Sequence, residues 1–161
     1  MLMVGIDPGL DGGIAVLGDE GLLRVTRTPT ISVGKKREYD LSTMIEALPS
    51  TFAGNSVAFL ERTHAMPKQG VVSMYKMGEG FGVWLGILAA LRIPYTLVAP
   101  QTWKAVMLRD MSVRDKKASL LRAQQLWSDI AKQIGKHHGM AEAALIAEYG
   151  RRKMAGASQT P

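Results

Sequence analysis

The sequence predicts an α/β fold in which helices flank a five-stranded mixed sheet, and three observations lead to that prediction. Apolar runs over residues 2–6, 14–17 and 22–26 come first, and glycine-containing turns separate them, as in an antiparallel meander of three strands. A fourth run, 56–60, follows a helical segment, and a strand reached through a helical crossover lies parallel to an earlier strand. A fifth apolar run, 95–99, follows a longer helical segment. The sheet is therefore expected to contain both antiparallel and parallel neighbours.

The helices are expected between and after these strands. Asp40 is a good N-cap for the first helix, and Pro49 ends it. Ser112 and Asp115 resemble a capping box for a long later helix. The polar segment 28–39 is expected to be an exposed loop. The predicted helices cover residues 41–48, 71–91, a short stretch from Pro100, 112–130 and 137–149.

The chain length indicates one domain. With 161 residues, of which 47% are hydrophobic and 21% charged, the chain can bury a core of its own. We expect a single domain over residues 1–153 and a disordered polar tail over 154–161. The longest apolar stretch, 81–91, is too short and too rich in glycine to span a bilayer, so no membrane association is expected.

Charge and cysteine content restrict the partners and the compartment. The formal charge of +6 favours a polyanionic partner such as nucleic acid, although some basic proteins have none. The basic triplet Lys35-Lys36-Arg37 is either a phosphate contact or a solvated run of charge. The chain has no cysteine and no signal-peptide pattern at its first residues. We expect a protein that is not secreted, located in the cytoplasm of a bacterial or phage-infected cell or in an organelle after processing.

Two carboxylates end predicted parallel strands. Asp7 follows the first apolar run and precedes the turn at Pro8-Gly9, and Glu61 follows the fourth run. An acid at the end of a buried strand needs a reason, and divalent cations, which prefer oxygen ligands, supply one. The simpler alternative is that Asp7 only caps its own turn. Parallel neighbours would bring Asp7 and Glu61 to the same edge of the sheet.

The last helix carries a second pair of ligand types. His138 and Glu142 are four residues apart and share a helix face, whereas His137 points elsewhere. Gly139 is expected to leave room for a ligand beside the helix start. A surface hydrogen bond between His138 and Glu142 is the alternative. The pattern of two strand-end acids followed by this pair favours a shared metal site.

Several segments in this order resemble the RNase H-like nucleases and, within them, the RuvC-type Holliday junction resolvases. The branch that includes the chloroplast resolvases is most similar. The last helix departs from the common pattern, because many family members carry two aspartates three residues apart where this chain has a histidine and a glutamate. The segments that carry the resemblance are residues 5–9 with Gly12-Gly13, residues 59–61, 80–86, 98–104 and 138–143.

The resemblance implies a metal-dependent, structure-selective endonuclease that resolves four-way DNA junctions by paired, symmetric phosphodiester hydrolysis. Two Mg²⁺ ions per site, or Mn²⁺, are implied, as is a homodimer; a partner helicase is not identified. The implied metal ligands are Asp7, Glu61, His138 and Glu142. Lys104 is implied as a further catalytic residue that contacts phosphate or stabilises the leaving group. The residues expected to contact DNA are Arg62, Lys68, Lys76, Lys116 and Lys117.

Other functions stay open at this point. The chain is alternatively a weak or inactive module that binds junctions, or a related nuclease for other branched DNA or RNA–DNA hybrids. A kinase-type ATPase also begins with a Gly-Ile-Asp motif, but it needs a second lobe, for which 161 residues leave no room. Glycines Gly78, Gly82 and Gly86 share a face of the long helix and are expected to admit either a neighbouring element or a second subunit.

Overall fold

A computed structural model describes residues 1–49, 55–63, 70–112, 115 and 117–157. Within that part of the chain, strands and helices alternate much as the apolar runs predict. The strands are β1 (Leu2–Asp7), β2 (Gly13–Gly18), β3 (Gly21–Arg27), β4 (Thr30–Val33), β5 (Lys36–Tyr39), β6 (Ser56–Glu61) and β7 (Tyr95–Val98). The helices are α1 (Leu41–Glu46), α2 (Val71–Ala90), α3 (Pro100–Met107), α4 (Ala118–Leu126), α5 (Ala131–Ile134) and α6 (His138–Ala157).

The main sheet has five strands in the order β3-β2-β1-β6-β7. β1 pairs antiparallel with β2, and β2 pairs antiparallel with β3, which is the predicted meander. β6 pairs parallel with β1, with Ile6 opposite Leu60, and β7 pairs parallel with β6. The predicted fold class, an α/β fold with a five-stranded mixed sheet, is confirmed.

Helices cover both faces of this sheet. On one face α3, α4, α5 and α6 enclose a core that contains Trp103, Ile134 and Leu145. On the other face α1 and α2 enclose a core that contains Met44, Trp84 and Leu88. Burial of the sheet on both faces explains why β1 and β2 are apolar along most of their length.

Glycine at position 5 lets α6 lie directly on β1. A Cβ atom at Gly5 would overlap the carbonyl oxygen of Ala143 and the backbone nitrogen of Ala147. On α2, by contrast, a Cβ at Gly86 would meet no atom within 4 Å among the described residues. The close contact between α6 and the central strand therefore requires glycine on the strand.

Replacement of Gly5 with alanine is expected to lower the free energy of unfolding by about 3 kcal/mol, because backbone atoms of α6 must move. Gly86→Ala is the matched control and should raise stability by about 0.5–1 kcal/mol, since alanine is the better helix former. Urea denaturation of both variants measures the difference. A Gly5→Ala protein as stable as the parent would show that α6 does not pack this closely.

Three expectations about the elements were wrong. Residues 28–39 do not form a loop: β4 and β5 pair as an antiparallel hairpin, with Gly34 in a left-handed turn at φ +62°. Their short length and mostly exposed side chains concealed the strands in the sequence. The helix expected over 112–130 is shorter: α4 spans Ala118–Leu126, buried Trp127 and a turn follow it, and the separate helix α5 begins only at Ala131. Residues 154–157, expected in the disordered tail, belong to α6, and 158–161 lie outside the described residues.

The glycine face of α2 does not pack on the sheet. A Cβ atom added at Gly78, Gly82 or Gly86 would meet no atom within 4 Å among the described residues. In that part of the chain, no neighbouring element packs against this glycine face. The glycine of α2 that does lie against other elements is Gly80, where a Cβ atom would overlap the Pro8 carbonyl oxygen and the Tyr39 hydroxyl. Among the residues described, no helix combines the length with the apolar character that crossing a membrane requires.

Candidate active site

The carboxyl ends of β1 and β6 place Asp7 and Glu61 on neighbouring parallel strands at the same edge of the sheet. The turn after Asp7 closes with a hydrogen bond of 2.9 Å from the Gly12 amide to the Gly9 carbonyl. Asp7 lies at the base of a cavity of about 650 Å³. The sheet itself thus fixes two of the predicted ligands next to each other.

The start of α6 brings His138 and Glu142 to the lining of the same cavity as Asp7. Gly139 allows this approach, because a Cβ there would overlap the backbone of Asp11 and Gly12. The space beside Gly139 is therefore filled by the turn that follows Asp7. The expectation that Gly139 leaves room for a ligand was wrong, and its role is to let the helix meet the turn.

Glu142 is held by two groups from neighbouring helices. The Lys104 ammonium lies 3.1 Å from Oε1 of Glu142. The Ser119 hydroxyl, on α4, donates a hydrogen bond of 3.1 Å to the same oxygen. Lys104 also lies 5.0 Å from the centre of the Trp103 ring. α3 thus presents a cation among the carboxylates.

Glu61 is oriented by a buried indole. Nε1 of Trp103 donates a hydrogen bond of 2.6 Å to Oε2 of Glu61, and the Trp103 side chain is fully buried. Burial raises the pKa of Glu61, while this hydrogen bond acts to lower it. Trp103 therefore both fixes the rotamer of Glu61 and favours its ionised form.

Asp7 is the most perturbed acid of the site. Burial, followed by the charges of Glu61 and Glu142, raises its pKa to about 7, against smaller opposing effects from the Gly9 amide and Lys104. These interactions show that the three carboxylates act on one another electrostatically. Without a cation, repulsion between the ionised carboxylates destabilises the folded protein. A bound divalent ion would remove that repulsion.

Tyr39 ties the wall of the cavity together. Its hydroxyl lies 3.3 Å from the carbonyl oxygens of both Pro8 and Lys76. Burial, together with the negative charge of Glu79 and Asp7, raises the pKa of Tyr39 to about 12. It is therefore a neutral hydrogen-bond donor that joins β5, the turn after Asp7 and α2.

The remaining predicted residues lie as follows. His137 contacts Arg27, whereas His138 lines the cavity, as the helix geometry predicted. Lys76 lines the cavity and forms an ion pair of 2.7 Å with Glu79. Arg62 is exposed directly after Glu61, and Lys117 is exposed at the start of α4. Lys68 and Lys116 lie outside the described residues.

The donors at this edge suit a hard divalent cation in their chemistry. Carboxylate oxygens are the preferred ligands of Mg²⁺, and here they are partly desolvated and mutually repulsive. Their separation is larger than in a closed site: within the described residues, no three carboxylate or imidazole groups are close enough to hold one ion. The site fits a cation by donor type and by charge, and ligation requires the side chains to move together.

Sequence reasoning missed three residues of this site: Tyr39, Trp103 as the partner of Glu61, and Ser119. Trp103 lies in one of the segments that carry the family resemblance, so the sequence drew attention to its position. Nothing in the sequence indicated its hydrogen bond to Glu61. Tyr39 and Ser119 showed no pattern that distinguishes them from ordinary helix and loop residues.

No family model matches the chain. No curated protein matches its sequence.

Solved structures do match. RuvC of Thermus thermophilus superposes with a TM-score of 0.59 at 18% identity, over 96% of this chain and 97% of that one. The structure of T. thermophilus RuvC in complex with a Holliday junction substrate superposes with a TM-score of 0.59 at 16% identity, over 95% of this chain and 96% of the other.

These superpositions bear on the predicted resemblance. They extend over nearly the whole chain, so the likeness to RuvC-type proteins does not rest on isolated motifs. The expected similarity to the chloroplast branch stays a prediction. The structural likeness confirms the resemblance at the level of the fold: this chain has the RNase H-like fold of RuvC along almost its entire length.

Proposed function

We propose that this protein is a metal-dependent endonuclease that resolves four-way DNA junctions. The observation that carries the proposal is the meeting of Asp7, His138 and Glu142 around one cavity, with Glu61 on the strand beside Asp7. The RuvC fold supports it, since a RuvC structure of that fold holds a Holliday junction substrate. The formal charge of +6 supports a polyanionic substrate.

Asp7, Glu61, His138 and Glu142 would hold divalent cations, with Mg²⁺ the expected metal and Mn²⁺ an alternative because imidazole is a softer ligand. Two such ions supply charge neutralisation at the scissile phosphate and activate a water molecule. The chain's own contribution is positional. Trp103 and Ser119 hold the carboxylates Glu61 and Glu142, respectively. Lys104 would move from Glu142 to the phosphate when DNA enters.

The start of α2 supports binding of an open DNA junction. α2 begins with large apolar side chains exposed to solvent: Val71 and Val72 are each 77% exposed and Tyr75 is 66% exposed. They lie beside Lys76, which lines the cavity. Exposed apolar groups next to a cation suit unstacked bases adjoining a phosphate backbone. We infer that this end of α2 enters the centre of the junction.

We further propose that the protein acts as a homodimer, because a junction with near two-fold symmetry needs two matched cuts and a symmetric dimer supplies two sites. The DNA contacts proposed for Arg62, Lys68, Lys76, Lys116 and Lys117 would make binding strongly dependent on salt. Analytical ultracentrifugation of the protein, alone and with junction DNA, tests the dimer. A monomer in both conditions contradicts it.

A substrate panel tests the function itself. The protein is incubated with a four-way junction, a flap, linear duplex and an RNA–DNA hybrid, each in Mg²⁺ and in Mn²⁺. Paired, symmetric nicks in the junction alone support a resolvase. Cleavage centred on the flap or the hybrid would assign the site to another branched or hybrid substrate.

One observation favours a second candidate, a module that binds junctions without cutting them. In the described part of the chain the ligand groups are not gathered closely enough to hold an ion, and Lys104 already neutralises Glu142. Tight junction binding with no nicking in either metal would identify the binding module and reject the nuclease.

Replacement of Trp103 with phenylalanine is expected to shift the acidic limb of the cleavage pH profile to higher pH. The variant loses the hydrogen bond that lowers the pKa of Glu61, so that pKa rises further and the carboxylate ionises at higher pH than in the parent protein. Cleavage should fall most at the acidic end of the profile and recover as the pH rises. Trp127→Phe, at a buried tryptophan outside the site, is the control and should leave the profile unchanged. An unshifted profile for Trp103→Phe would make Trp103 a core residue only.

A further inference from the structure

A second, smaller cavity lies away from the carboxylates, where α3, α4 and α6 meet. Its volume is about 280 Å³. Arg109, Arg122 and Arg152 line it, and Asp110 is the acid among the described residues of its wall. We call this cavity the arginine pocket. None of its residues belongs to the predicted site or to the predicted DNA contacts.

The arginines of the pocket exceed the acids that neutralise them. Arg122 pairs with Asp110, yet its Nε is buried and has no hydrogen-bond partner within the described part of the chain. Arg152 shares buried Glu148 with Arg151, which lies outside the pocket and donates two of the three hydrogen bonds that Glu148 accepts from this pair. In the wall of the pocket itself, three guanidinium groups stand against one carboxylate among the described residues. The pocket therefore keeps a positive charge and an unused donor.

This combination suits a phosphate. The guanidinium group is planar, always charged and presents paired donors that match phosphate oxygens. A chloride-sized ion would leave most of these donors unused, and a neutral ligand would leave the charge unbalanced. The pocket is also open to solvent through exposed Arg109 and half-exposed Arg152, so a large polyanion can reach it.

The pocket lies along the same helices as the active site. α4 carries Ser119 at the active site and Arg122 one turn later, and α6 carries Glu142 and then Arg152. At a rise of about 1.5 Å per residue, Arg152 lies about 15 Å beyond Glu142 along α6. That distance corresponds to roughly four to five base pairs of DNA, which rise about 3.4 Å each.

We propose that the arginine pocket binds a backbone phosphate of the duplex arm that leaves the active site. The inference rests on the proposed function, because it assumes that DNA occupies the active site. It adds Arg109, Arg122 and Arg152 as contacts that fix the direction of one arm. Such a contact recognises the phosphate and not the sequence of the arm.

Arg152 and Arg151 form a matched pair for the test. Both are 48% exposed and both pair with Glu148, but only Arg152 lines the pocket. Arg152→Gln and Arg151→Gln therefore remove equal charge, although Arg151 donates two hydrogen bonds to Glu148 and Arg152 donates one. Thermal unfolding of both variants measures the stability that each loses with its bonds to Glu148, so that a loss of DNA affinity can be separated from a loss of stability. Arg109→Gln is a second pocket variant that leaves Glu148 untouched.

Fluorescence anisotropy of labelled junction DNA, over a range of salt concentrations, gives the result. Arg152→Gln and Arg109→Gln should each weaken binding about three- to tenfold at low salt and lower the slope of log K against log salt by about 0.9. Arg151→Gln should change affinity less than twofold. The loss in the pocket variants should disappear on junctions whose arms are trimmed to about three base pairs. The proposal would be overturned if Arg152→Gln and Arg151→Gln bound junction DNA with equal affinity. It would also be overturned if the loss of affinity in the pocket variants persisted on the trimmed junctions.

Inorganic phosphate separates a DNA phosphate from a free one. If phosphate below 1 mM raises the melting temperature of the parent protein but not of Arg152→Gln, while their DNA affinities agree, the pocket holds a free anion and the proposal fails. Failure of the proposed function looks different: the parent protein then neither prefers nor cuts the junction, although the difference between Arg152→Gln and Arg151→Gln can still be measured on linear duplex.

Discussion

Asp7→Asn is expected to lower the rate of junction cleavage about a thousandfold or more while leaving junction binding intact. The asparagine keeps the shape of the side chain at the end of β1 but removes the charge that would hold the cations, and the loss of several kcal/mol of transition-state stabilisation corresponds to that factor. Single-turnover cleavage measures the rate, and a gel-shift titration in Ca²⁺ or EDTA measures binding.

Asp11→Asn is the control for this experiment. Asp11 lines the same cavity, but its side chain is 90% exposed and forms an ion pair of 2.6 Å with Arg37. Loss of its charge should change cleavage by only a few fold. If Asp7→Asn cuts junctions as fast as the parent, Asp7 has no part in the reaction and the site is elsewhere. Equal loss in both variants would indicate a general effect of charge at the cavity.

The second large effect is on stability, and it depends on pH. The pKa of Asp7 is raised from 3.8 to about 7 in the folded protein. Between these two pH values the folded protein therefore keeps a proton on Asp7, whereas the unfolded chain has released it. In the absence of metal, stability from this group is fully present below about pH 4 and is lost as pH rises towards 7. At pH 8, Asp7→Asn should therefore be more stable than the parent by a few kcal/mol, since each tenfold change in proton affinity is about 1.4 kcal/mol.

Divalent metal should reverse this difference. A cation that binds the ionised carboxylates stabilises the folded parent protein at pH 8 and much less at pH 5, where it must displace the proton of Asp7. Denaturation in urea with EDTA and then with Mg²⁺ or Mn²⁺, at both pH values, measures the effect. Asp7→Asn should respond weakly to metal at either pH. A parent protein with equal stability at pH 5 and pH 8 in EDTA, unchanged by metal, would contradict the linkage.

Some features of the fold were readable because they depend on neighbours in the chain. Apolar runs interrupted by glycine-rich turns specify strands and hairpins locally, and a helix between two strands makes them parallel. These two rules are sufficient to place Asp7 and Glu61 at one edge. Spacing of four along α6 also places His138, together with Glu142, at the cavity, whereas His137 precedes the helix and contacts Arg27. The hairpin of β4 and β5 escaped notice because each strand has only four residues and is mostly exposed, so its pattern is too short to distinguish a strand from a loop.

By itself, then, the sequence determined the five strands of the main sheet, the class of sheet, the positive charge and the acids at the strand ends. The tertiary structure alone decided which groups hold those acids. The indole of Trp103 on Glu61, the hydroxyl of Ser119 on Glu142 and the arginine pocket all join residues that are distant in the chain. The same is true of Gly139, which meets the turn after Asp7. Local propensity acts over a few residues, whereas these contacts depend on how each helix packs on the sheet, which only the burial of side chains in the folded protein fixes.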